Sequence, residues 1–160
     1  YTTEGYRQPE PAHEEREYVP VPVRKDDRDF VTALLNDNAL LEQAREALEQ
    51  CGALPADPVA EVLRVVVDRG VDSLVQDFET EEARSLFAAA AATDPEELRD
   101  PAALVGLRLN RLVKESLRTE VANINPQIQE AERSGDTARM VELLQRKMQL
   151  GKQLERVGVS

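Results

Sequence analysis

Tryptophan is absent, cysteine and histidine occur once each (Cys51 and His13), and aromatics make up 4% of the 160 residues. Each scarcity removes a class of answer. One cysteine cannot form a disulfide within the chain, and a single Cys with a single His cannot assemble a zinc site. No apolar run nears the roughly 20 residues that cross a bilayer, and no secretory signal is visible. No Gly-rich phosphate loop, HExxH or CxxC occurs, which leaves no familiar frame for phosphate, zinc-protease or redox chemistry. The acid pairs Glu14-Glu15, Glu81-Glu82 and Glu96-Glu97 are adjacent, so on a helix they point about 100° apart and do not converge on a substrate. They read as solvated or helix-start charges. The chain therefore encodes no catalytic residue, no metal ligand set and no cofactor site. Cys51 reads as a small semi-apolar residue at a helix end, and its single occurrence fits a reducing cytoplasm.

What is abundant is Ala, Leu, Glu, Arg and Val, a composition that favours helices because straight-chain side chains lose little freedom there. An all-α fold follows. The net charge of −11 is uneven. Residues 30–100 carry 16 acids and 5 bases, whereas residues 101–160 carry 7 acids and 10 bases. An acidic body tracks phosphates poorly, so little direct nucleic-acid binding is expected. Beginning at Tyr1 rather than Met, the chain reads as a fragment of a longer protein.

Residues 1–27 hold Pro9, Pro11, Pro20 and Pro22 among many charges, without apolar periodicity. They read as a flexible linker, with YVPVPV extended on a neighbour. From Asp29 apolar residues recur at three and four: Phe30, Leu34, Leu35, then Leu40, Leu41, Ala44 and Leu48, the mark of amphipathic helices. Asp37-Asn38 supplies a capped joint. CGALPADP is a connector, followed by a Pro58 helix with the face Val59, Val62, Leu63, Val66 and Val67, ended by Gly70. A short helix is expected to carry Val71, Leu74 and Val75, and Thr80 opens another. Together residues 28–100 read as a helical bundle. Asp100-Pro101 then opens a long helix over Leu104, Leu109, Val113, Leu117, Val121, Ile124 and Ile128. Pro126 is expected to kink or restart it. Residues 101–160 thus form a long, Pro-kinked helix and a C-terminal helical hairpin.

The hairpin turns at Ser134-Gly135-Asp136, where Gly135 takes the left-handed conformation and Asp136 caps the second arm. Plotted at about 100° per residue, Val157, Leu150, Leu143 and Leu154 occupy one half of an apolar arc, and Met140, Leu144, Met148 and Val141 the other. The arc is about 200° wide, twice what one partner helix covers. The first arm offers only Ile124, Ile128 and Ala131 to fill it. Two covers for the remainder are open: the bundle, or another protein. In the second case the docking residues are Arg139, Met140, Leu143, Leu144, Arg146, Lys147, Met148, Leu150 and Leu154, the methionines adapting to the partner and the bases forming the rim.

The string IQEAERSGDTARMVELLQRKMQLGKQLE resembles the end of bacterial DnaG-type primases, where a helix reaches a Gly-Asp turn and continues as a Leu-rich helix. RDFVTALLNDNALLEQA is similar to that family's opening helix pair, LPADPVAEVLRVVVDRG to its Asp-Pro helix, and LVGLRLNRLVKESLRTEV to the start of its long helix. The resemblance spans residues 28–157 in order. It departs at Asn38, where many relatives have proline, and at Pro126, inside a helix that is usually continuous. The resemblance implies the C-terminal helicase-binding domain: a non-catalytic, monomeric module that contacts the N-terminal domains of the hexameric replicative helicase. The parent chain would then be a primer-synthesising nucleotidyltransferase, with zinc and magnesium in domains N-terminal to this one. It also implies a place in the cytoplasm at the replication fork and stimulation of the helicase; a separate reading is contact with single-strand DNA-binding protein through the C-terminal bases. The alternative readings are the N-terminal oligomerisation domain of a replicative helicase, against which ERVGVS reads as a chain end, and a free-standing helical adaptor.

Overall fold

The computed structural model describes the backbone of residues 21–52 and 54–159, and side chains among these up to Val157. Most of the expected linker, residues 1–20 with His13, lies outside the described residues. Val21–Arg24 forms no regular element, with Arg24 extended and the Val21 N–H donating to Ser85 Oγ at 3.4 Å, and Lys25 already opens the first helix.

Among the described residues there are six α-helices and no strand: α1 Lys25–Asn36, α2 Asn38–Glu49, α3 Pro58–Arg69, α4 Glu81–Ala91, α5 Pro101–Ser134 and α6 Thr137–Val159. Apart from α1, whose start at Arg24 has no side-chain cap, their starts are set by side chains that satisfy the first orphan amides of a helix. Asp37 accepts from Ala39 and Leu40, Asp57 from Ala60, Thr80 from Ala83 and Asp100 from Ala103. Glu61 on α3 reaches across to accept from the Thr80 hydroxyl at 2.7 Å and from the amides of Glu79 and Thr80, tying α3 to the start of α4.

α1 to α4 and the first half of α5 enclose one core. Phe30, Val31 and Leu34 from α1, Val62, Leu63 and Val66 from α3, and Phe78 are at most 2% exposed. Phe78 packs against Phe87 with ring centroids 5.0 Å apart. From α5 come Val105, Leu109, Val113 and Leu117. Val105 rather than the expected Leu104 fills the first of these positions, Leu104 being half-buried. Arg108 stacks on the Phe30 ring at 5.3 Å and bonds Asp27 at 2.8 Å, locking α5 to α1. The bundle core therefore draws on residues beyond 100, and α5 serves both bundle and hairpin.

Two expectations change. The segment with Val71, Leu74 and Val75 is a pair of 3-10 turns, Gly70–Asp72 and Val75–Asp77, rather than a short α-helix. Gly70 at φ 61° and two Asp/Ser side-chain bonds fold it too tightly for an α-helical turn. Pro126 does not restart the chain: α5 is one helix of 34 residues through it. A proline removes one backbone bond and crowds one carbonyl. Here its ring is exposed, about 200° around the helix from Ile124, so packing on the opposite flank holds the helix together.

Candidate docking face

Gly135, at φ 73°, ends α5 in the left-handed conformation, and the Asp136 N–H donates back to Ala131 O at 2.9 Å. The Asp136 carboxylate accepts from the Arg139 amide at 3.1 Å, starting α6. The chain thus reverses in two residues and α6 runs back along α5. Its last turn reaches the bundle, where Val157 shares a cleft with Leu109 and Val113 of α5 and with Gln43 and Gln50 near α2.

This path divides α6 lengthwise. On its inner side Leu143 is 5% and Leu150 0% exposed, joined in the core with Ile124 and Ala131, while Met140, Leu154 and Val157 are half-buried at the edges. On its outer side Val141 and Leu144 are each 47% exposed and Met148 60%. Spacings of three and four place these three on one stripe of the helix. Among the described residues no other element makes a major contact with α6 besides α5.

The expected docking set is therefore split. Leu144 and Met148 lie on the open stripe, with Lys147 and Lys152 exposed beside it. Leu143 and Leu150 are consumed by the seam, because the first arm is the whole distal half of α5 and not merely three residues. Arg139 and Arg146 stay about half exposed, but each stands two residues, about 200° around the helix, from a stripe residue. Arg139 donates to Gln127 Oε1 at 3.1 Å, and Arg146 to Glu120 Oε2 at 3.0 Å. These bonds tie α6 to α5 along the flank away from the stripe. Val141 completes the stripe; its position in the helical arc was the signal for it.

Glu120 sits against Gly52, where any Cβ would collide with its carboxyl group, so glycine leaves the room the α5 side chain occupies. Burial pushes the neighbouring Cys51 thiol above its ordinary value; a Ser116 hydrogen bond offsets part of this and the Glu120 charge adds to it. Such a thiol stays protonated at neutral pH and is a poor nucleophile or metal ligand. Among the described residues no group of three or more His, Cys, Asp or Glu side chains is placed to hold a metal ion. No helix among them is long and apolar enough to cross a membrane. An open groove of about 830 Å³ between α3 and the start of α4 is lined by Asp57, Glu61, Asp77, Glu79 and Glu82 with Arg64. Glu61 is already committed there as a cap.

The fold is all-α, a helical bundle carrying a helical hairpin with one uncovered apolar stripe. No family model, curated protein or solved structure matches the chain.

Proposed function

We propose that this chain is the helicase-docking module of a bacterial DnaG-type primase, binding the N-terminal domains of the hexameric replicative helicase through the outer face of α6. In this reading it binds rather than catalyses, and it brings primer synthesis to the replication fork. The observation that carries it is the stripe Val141, Leu144 and Met148, exposed on a helix whose other side is sealed. The ordered resemblance over residues 28–157 supplies the partner. Three apolar side chains fall well short of the roughly 800 Å² that each partner buries in a stable interface, so the helicase must also engage flanking polar surface such as Lys147 and Lys152.

The test is co-migration of the chain with the cognate hexameric helicase in size-exclusion chromatography. Leu144→Asp and Met148→Asp should each weaken binding by about 30-fold or more, as loss of an interface anchor does. Circular dichroism should stay unchanged, since both side chains are exposed. Unchanged binding by the folded double variant would overturn the assignment. Leu143→Asp and Leu150→Asp are unsuitable probes because both open the seam.

A further inference from the structure

The exposed large apolar side chains among the described residues fall in three places: the α6 stripe, Leu107 alone on α5, and the connector between α3 and α4. The connector is the most exposed group, with Val71 at 80%, Leu74 at 52% and Val75 at 42%. It is not a slack loop. Ser73, 6% exposed, turns inward and donates to Gly70 O at 2.7 Å, while the Leu74 amide donates to Asp77 Oδ2 at 2.8 Å. The small polar residue is buried and the three large apolar ones are held outward, the reverse of what burial of apolar surface favours. Such an arrangement marks an interaction surface.

Charge identifies the occupant. Residues 57–82 carry 8 acids and 2 bases, and exposed Asp68 and Asp72 beside the patch join no ion pair among the described residues. Residues 137–157 carry 5 bases and 2 acids. Lys147 and Lys152, beside the α6 stripe, are likewise exposed and in no ion pair among the described residues. The chain thus presents one acid-flanked apolar patch and one base-flanked apolar stripe. Within a molecule α6 rests on α5, while the connector packs with α3 and α4. We propose that the α3–α4 connector is the seat for the outer face of α6 from a second copy of this chain, in a head-to-tail contact. Apolar side chains meet at its centre, with Lys147 and Lys152 of one copy facing Asp68 and Asp72 of the other.

A contact of this size is weak, with a dissociation constant on the order of 10⁻⁴ M, and it is screened by salt. It shares the α6 stripe with the proposed helicase contact but does not depend on it, being measured without any helicase. A head-to-tail contact that does not close adds copies without limit. Sedimentation of the whole chain at low salt should therefore show an average mass that rises past the dimer as concentration approaches about 0.5 mM. Leu74→Glu and Leu144→Glu, both at exposed positions, should each weaken association at least about tenfold. An equimolar mixture of the two should associate again, the intact α6 of one seating on the intact connector of the other, and should stop at the dimer. Leu74→Glu should still co-migrate with the helicase, which separates the two contacts. A chain that stays monomeric throughout, either variant associating like wild type, or a mixture that stays monomeric would overturn the proposal.

Discussion

The bundle and the hairpin are made from the same residue types, yet they solve burial differently. Five helices surround the bundle core, so Phe30, Leu34, Leu63, Val66 and Leu117 are covered on every side. The distal hairpin is two helices thick, and each helix has a back. Its seam is complete at Leu143 and Leu150, but a second apolar face on α6 has nothing to lie against. The lesson is that thickness, not composition, decides whether an apolar residue becomes core or contact surface.

That contrast breaks most visibly through core truncation. Phe30→Ala should lower the stability of the bundle by about 3–5 kcal/mol, read as a shift in denaturation midpoint. Leu150→Ala should cost about 2–5 kcal/mol, but felt in the hairpin. Hydrogen exchange should accelerate in α6 and the distal half of α5 while α1 and α3 stay protected. Equal acceleration in α1 and α3 would show bundle and hairpin to be one cooperative unit.

Pro126→Ala sharpens the same division from the stabilising side. The proline sits inside an unbroken helix, where it forgoes one backbone bond. Replacement should slow exchange in the hairpin and stabilise it by about 1–3 kcal/mol, with little change in the bundle. Next in size is Asp136→Ala. It removes the cap of α6 and should cost about 1 kcal/mol, confined to the tip, read from exchange of the first amides of α6.

Much of this was legible in the sequence, for local reasons. Capping residues act on amides two or three positions away, so Asp37, Thr80 and Asp100 announce helix starts without tertiary knowledge. The left-handed Gly135 and the cap at Asp136 are equally local. The two halves of the α6 arc could be written from periodicity alone. What periodicity could not decide is which half faces α5. Leu143 and Leu150 belong to the seam because the first arm begins well before Ile124, α6 folding back as far as Leu109. The cross-arm bonds of Arg139 and Arg146 were equally illegible, since their partners Gln127 and Glu120 become neighbours only once the arms are registered. The connector reads as a helix because a run such as Val-Asp-Ser-Leu-Val carries helical spacing, and that spacing masks two local turn bonds, Ser73 Oγ to Gly70 O and the Leu74 amide to Asp77 Oδ2.

The smallest expected effect is electrostatic and belongs to the bundle. Burial pushes the Asp29 carboxyl up, but hydrogen bonds from Lys25 and Arg28 and their charges outweigh it, holding the group below its ordinary 3.8. Burial likewise raises Glu61, and its bonds from Thr80 and the amides of Glu79 and Thr80, with the Arg64 charge, bring it below its ordinary 4.5. A carboxylate whose folded pKa lies below its unfolded value stabilises the fold above the unfolded value and loses that contribution as pH falls through the folded one. Bundle stability should therefore be flat near neutrality and decline below about pH 4.5. Asp29→Asn should be less stable than wild type at pH 6, and that gap should narrow as pH falls through 3.8 and below. Denaturation midpoints of both chains across this range provide the measurement. A gap that stays constant with pH would mean that Asp29 acts through packing and shape, and that the ion pairs with Lys25 and Arg28 contribute nothing to holding α1 in the bundle.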